Sequence, residues 1–123
     1  MKRILYIEDN VRNMRLVRKI LNHAGYEMIG AAEGLIGLEI AQNEKPDLIL
    51  MDVNLPDIDG LEATARLKSN PELANIPVIA LTANAMHGDR ERCLAAGCDG
   101  YLAKPVARVL LLNTLNTFFK ENV

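Results

Sequence analysis

Along this chain, short continuous apolar runs alternate with longer stretches that are apolar on one side only. The run Ile4–Ile7 predicts a strand. Val11–Ala24 predicts an amphipathic helix with Met14, Val17, Ile20 and Leu21 on one side. Asn10 is placed to cap that helix, and Gly25 follows its end. Glu27–Ala31 reads as a weaker strand, and Leu35–Asn43 as a second helix carrying Leu35, Leu38, Ile40 and Ala41. Leu48–Met51 is apolar throughout, as expected of a central strand covered on both faces. Leu61–Lys68 predicts a third helix, Val78–Leu81 a fourth strand and Asp89–Ala96 a fourth helix. Tyr101–Leu102 predicts a short fifth strand, and Val106–Phe119 a final helix starting directly after Pro105.

Strands that alternate with helices in this way imply an α/β architecture: a doubly wound five-stranded parallel sheet with helices on both faces and right-handed crossovers. In such sheets the site lies outside the carboxyl ends of the strands. The 123 residues suit one domain with a real core, and half of them are apolar. No repeat, linker or second domain is visible, so no output module is expected. Lys and Arg number 14 against 16 Asp and Glu, a net charge of −2. That balance offers no basic surface for nucleic acid. The first apolar run is too short for a signal peptide or a membrane span. Cys93 and Cys98 do not form a CxxC pair and read as small buried side chains, which fits a reducing cytoplasm.

The polar residues collect at the predicted strand ends. Glu8 and Asp9 follow the first strand, Asp52 the third, Thr82 the fourth and Lys104 the fifth. If the first and third strands are neighbours, three carboxylates converge, and repulsion requires either a proton or a cation between them. A hard divalent ion with oxygen ligands, most simply Mg²⁺, meets that need. Asp52 can also act as a nucleophile toward a phosphoryl group, forming an acyl phosphate. Lys104 would then supply a counter-charge and Thr82 a hydroxyl donor. Taken singly, each residue has an ordinary role as a cap or a solvated side chain. Their joint arrival at successive strand ends points to one shared site.

The set Glu8-Asp9-Asn10, Asp52 with Pro56 and Gly60, Thr82-Ala83, and Tyr101-Leu102-Ala103-Lys104-Pro105 closely resembles the response-regulator receiver domain of two-component signalling. The resemblance covers the whole chain in order. It implies the (βα)5 flavodoxin-like receiver fold (CheY-like), with Asp52 as phosphoacceptor and Glu8 and Asp9 forming the metal pocket. It further implies a metal contact from the Asn54 backbone carbonyl, phosphoryl contacts from Thr82 and Lys104, and Tyr101 as the switch aromatic paired with Thr82. A cis peptide before Pro105 is also implied. Many receivers carry Asp-Asp where this chain has Glu8-Asp9, so the Glu8 contact would run through water. Asn13 and the run Leu81-Thr82-Ala83-Asn84-Ala85-Met86 resemble receivers of hybrid-kinase phosphorelays and stand-alone regulators of the DivK cell-cycle type. Such a protein would take its phosphoryl group from a histidine kinase or histidine phosphotransferase. It would act in the cytoplasm as a monomer or weak dimer, and deliver its output to another protein through helix four, strand five and helix five.

Several alternatives stay open. Asn54 and Asn84 either border the path of attacking water and tune the phosphoryl lifetime, or are plain loop residues. The final helix is apolar on more than one stripe: Val109 and Leu110 either pack inward or form an exposed docking patch. His23 and His87 read as surface residues. A haloacid-dehalogenase-type phosphatase would need a second acid two residues after Asp52, where Asn54 stands. A nucleotide or flavin carrier would need a Gly-rich phosphate loop, which is missing. A phosphorylation-independent adaptor of receiver fold is the remaining alternative.

Overall fold

A computed structural model of the chain describes residues 1–83 and 88–120. Strands β1 (Arg3–Ile7), β2 (Glu27–Ala31), β3 (Leu48–Asp52), β4 (Val78–Thr82) and β5 (Gly100–Ala103) form one sheet in the order β2-β1-β3-β4-β5, all parallel. Between and after them run α1 (Val11–His23), α2 (Gly34–Glu44), α3 (Gly60–Ser69), α4 (Asp89–Ala95) and α5 (Arg108–Phe119). The doubly wound parallel sheet expected from the sequence is therefore present. Strand periodicity of two sorts its side chains into two layers. Ile4, Tyr6, Leu48, Leu50, Ile79 and Leu81 face Val17, Ile20 and Leu21 of α1 and Leu111 and Leu115 of α5. Leu5, Ile7, Ile49, Met51, Val78 and Ala80 face the layer of α2, α3 and α4, which contributes Ala41, Ala63, Leu67 and Cys93. Each fully buried Leu or Ile contributes about 1.5–3 kcal/mol, so the central strands dominate stability.

Asn10 caps α1, its Oδ1 accepting the Asn13 N–H at 3.0 Å. Gly25, at φ 91°, then takes the left-handed turn out of the helix. Helix α2 departs from its expected packing. Of its expected apolar set, Ala41 is buried and Leu38 and Ile40 pack partly against the core, but Leu35 stays 51% exposed, with Ile36 at 46%, while Gly34 is buried against Ile58 of the loop after β3 and Gly37 against the sheet. A Cβ on Gly37 would stand 2.4 Å from Ile7 Cδ1, so this helix approaches closely through small residues and its larger ones are left at the margin. Helix α5 also differs from expectation, beginning at Arg108 rather than directly after Pro105. Val106 packs partly into the α1–α5 layer and Ala107 is extended at φ −85° and ψ 127°, so the first helical bond is Leu111 N–H to the Ala107 carbonyl, 2.9 Å. Val109 and Leu110 are 67% and 58% exposed. No described helix is long and apolar enough to cross a membrane.

Candidate functional site

Because β1 lies beside β3, β3 beside β4 and β4 beside β5, their carboxyl ends present Glu8, Asp52, Thr82 and Lys104 side by side. Glu8 and Asp52 are buried, at 2% and 3% exposure. Lys104 reaches back from beyond β5 to place Nζ 2.6 Å from Glu8 Oε1 and 3.0 Å from Asp52 Oδ1. Asp9 stands on the open side. One carboxylate oxygen from each of Glu8, Asp9 and Asp52 lies within 4.8 Å of the others. The loop after β3 closes the other flank, and a cleft of about 450 Å³ opens between Asp9 and the segment from Val53 to Asp59. Asn54 is exposed, while its backbone N–H donates to Asp52 Oδ1 at 3.1 Å. Gly60 permits this loop to fold against the strand: a Cβ there would fall 2.1 Å from the Asp52 carbonyl oxygen, backbone that has no room to yield.

Glu8 is held on every side. The Tyr6 hydroxyl donates to its Oε1 at 2.9 Å and Asn13 Nδ2 at 3.3 Å, and the Asn10 N–H donates to its Oε2 at 3.2 Å. Burial alone would raise its pKa, but hydrogen bonds from Lys104, Asp52, Asn10 and Tyr6 bring it below the usual carboxylate range. Asp52 goes the other way. Burial first, then the hydrogen bond to Glu8, push it up to about 6 against the opposing pull of Lys104. Burial would lower Lys104, yet its two carboxylate partners hold it above its ordinary value, so it is charged. Burial and the Glu8 carboxylate beside it raise the Tyr6 phenol. The donor set is entirely hard oxygen, with one acid exposed and two buried, which fits a divalent ion such as Mg²⁺.

Thr82 ends β4 at 1% exposure, next to the Asp52 strand. Tyr101 lies in β5 with its ring partly buried in the α2–α4 layer, and its hydroxyl donates to Asp89 Oδ2 at 3.1 Å rather than toward the carboxylates. The Lys104–Pro105 peptide is cis. His23 ends α1 and is exposed. Asn84 and His87 lie outside the described residues. The sequence reading passed over Tyr6 and Asp89 as site partners. Tyr6 precedes Glu8 by two positions and so shares its strand face, a signal that was available. Asp89 carried no comparable signal, since an acid in the first turn of a helix is ordinary.

Comparison with known proteins agrees with this geometry. Residues 4–116 match the response regulator receiver domain. Over 120 residues the chain is 44% identical to the polar-differentiation response regulator DivK of Brucella anthropi, with 98% of each chain covered. The receiver domain of a sensor histidine kinase from Pseudomonas aeruginosa, solved with a magnesium ion in its active-site cleft, superposes with a TM-score of 0.90 at 39% identity, 98% of both chains being covered. The chemotaxis protein CheY4 of Vibrio cholerae gives a TM-score of 0.90 at 30% identity, over 97% of this chain and 99% of that one. Strand order, pocket and sequence thus agree, and the chain belongs to the response regulator receiver family.

Proposed function

We propose that this protein is a phosphorylation-operated signalling switch whose phosphoacceptor is Asp52. The observation that carries the reading is the joint placement of Glu8, Asp52 and Lys104 at adjoining strand ends, with Asp9 open to solvent beside them. A carboxylate oxygen of Asp52 attacks the phosphorus of a phosphohistidine on a histidine kinase or histidine phosphotransferase. The P–N bond breaks, the imidazole leaves with its electron pair, and an acyl phosphate remains on Asp52. Glu8, Asp9, Asp52 and the Asn54 carbonyl would hold Mg²⁺, with Glu8, already saturated by protein donors, acting through water. When bound, that ion neutralises charge developing on the phosphoryl oxygens. Lys104 supplies a fixed positive charge to the same oxygens, and Thr82 a hydroxyl donor.

Helix α1 begins just past Glu8-Asp9-Asn10 and exposes Arg12, Arg15, Arg18 and Lys19 with no acid among its residues, a surface suited to an acidic phosphodonor. The output surface spans α4, β5 and α5, where Leu94, Val109 and Leu110 are exposed to meet a downstream protein. We place this activity in the cytoplasm.

Intact mass after incubation with acetyl phosphate and Mg²⁺ tests the reading. One added phosphoryl group is expected, dependent on Mg²⁺ and absent in Asp52→Asn. If the protein stays unmodified, both with acetyl phosphate and with a phosphorylated histidine phosphotransferase, the phosphorylation-independent adaptor takes the place of the switch.

A further inference from the structure

The loop from Val53 to Asp59 is fastened in two places. Its ends are pinned to the sheet: the Val53 N–H donates to the Leu81 carbonyl and the Gly60 N–H to the Val53 carbonyl, each at 3.0 Å. Its middle is pinned to α2. Asp57 Oδ1 accepts the Gly34 N–H at 2.8 Å, and Oδ2 accepts the Leu35 N–H at 2.9 Å. Beside these bonds Ile58 is buried against Gly34, where a Cβ would stand 2.2 Å from Ile58 Cγ2. Glu33, at the N-cap of α2, makes no side-chain cap, so the first turn of the helix depends on the loop. The same loop carries Asn54, whose N–H donates to Asp52 Oδ1 and whose carbonyl is proposed above to hold Mg²⁺. It also forms the wall of the cleft that faces Asp9.

A ligand carried on a loop binds an ion only as well as the loop is held, because ordering the loop on binding costs conformational entropy. Asn54 and Pro56 are exposed, so their own side chains do little to hold that stretch of backbone. We propose that Asp57 is a positioning residue: by tethering the loop to the start of α2 it sets the Asn54 carbonyl in place for the ion, and couples occupancy of the pocket to the order of the first turn of α2. The coupling runs both ways. An intact tether raises ion affinity, and a bound ion, by steadying the loop, keeps Asp57 on Gly34 and Leu35 by the same factor. Helix α2 packs on β1 and β2, at the opposite edge of the sheet from β5. The tether therefore links the pocket to a part of the molecule that the α4, β5 and α5 surface does not include. The inference rests on the reading of the acidic pocket as a Mg²⁺ site.

Calorimetric titration with MgCl₂ and residue-resolved amide exchange, both on the full chain, test the tether. Asp57→Ala is expected to bind Mg²⁺ roughly three- to tenfold more weakly, within the range set by the loss of one helix cap. Saturating Mg²⁺ should slow exchange of the Gly34 and Leu35 amides in the wild type by the same factor, and leave them unmoved in Asp57→Ala. Adding Glu33→Asp to Asp57→Ala separates helix stability from positioning. Position 33 is extended, so the shorter acid there supplies a local cap to α2 without touching the loop. That double variant should regain thermal stability yet keep the weakened Mg²⁺ binding, and compared with Glu33→Asp it serves if the single variant does not fold. Asp57→Asn, which keeps one carbonyl acceptor for two donors, is expected to fall between. Unchanged Mg²⁺ affinity in Asp57→Ala, or affinity restored together with stability in the double variant, overturns the proposal. Exchange at Gly34 and Leu35 that ignores Mg²⁺ in a wild type that binds it does the same. A wild type that binds no Mg²⁺ sinks the metal reading of the pocket itself, and this inference with it.

Discussion

Glu8 and Asp52 share one ammonium group, Lys104 Nζ, at 2.6 and 3.0 Å. Two buried carboxylates against one cation leave surplus negative charge, and Asp9 adds a third acid on the solvent side. The pocket disposes of this unevenly, with Asp52 pushed up to about 6 and Glu8 kept low by its donors. A divalent ion at the open edge relieves the same strain without a proton. Mg²⁺ is accordingly expected to raise Tm, by about 2.7 kcal/mol of stability at a hundred times its Kd, and a chelator to reverse the rise. Asp9→Asn, at an exposed position, should leave metal-free stability within about 0.5 kcal/mol yet remove most of the increase. Calorimetric scans with and without MgCl₂ check both; an undiminished rise in the variant would place the ion elsewhere. At this scale the acids and Lys104 were legible because they close apolar runs. The fourfold grip on Glu8 was not, since it brings together residues from β1, the α1 entry and the far side of the sheet.

Helix α5 shows how finely an element divides its apolar residues. Leu111 and Leu115 are fully buried, whereas Val109 and Leu110, two and one positions earlier than Leu111, face water. Leu111→Ala should cost about 2–5 kcal/mol through the cavity it leaves. Leu110→Glu should shift stability by no more than about 0.5 kcal/mol and leave phosphoryl acceptance by Asp52 intact. Urea unfolding of the two variants reads the contrast, and an equal loss would mean that Leu110 packs inward. The elements themselves were legible nearly residue by residue, because most apolar runs are bounded by a charged residue, a cap, a glycine or a proline. What sequence periodicity missed was depth. Leu35 belongs to the apolar set of α2 yet is half exposed, because Gly34 and Gly37 let the helix backbone settle against Ile58 and Ile7. The start of α5 was set by the packing of Val106, which no propensity at Pro105 or Ala107 announces.

Across the whole molecule, Asp57 ties the loop after β3 to the start of α2. Its two oxygens accept the Gly34 N–H at 2.8 Å and the Leu35 N–H at 2.9 Å, so a helix whose own N-cap, Glu33, makes no side-chain cap is capped from a distant loop. These backbone bonds, Leu35 the larger, hold Asp57 below the usual carboxylate range. A folded pKa below the unfolded value of about 4 gives stability that is present above that value and is lost as pH falls through the folded one. Asp57→Asn should therefore be less stable than the wild type near neutrality, with the gap closing in acid below about pH 4. Denaturant midpoints over that range measure it, and a gap independent of pH would assign the loss to shape rather than charge.

The order of strands and helices, the apolar faces of the central strands and the chemistry at their ends were written in the sequence by itself. Each rests on local periodicity, or on a residue type standing next to an apolar run. Only the tertiary structure decided which distant groups share an oxygen: Lys104 on Glu8 across 96 positions, Asp57 on α2, and Tyr101 on Asp89. Those pairings depend on strand order and on how near each helix lies to the sheet, and a one-dimensional pattern contains neither.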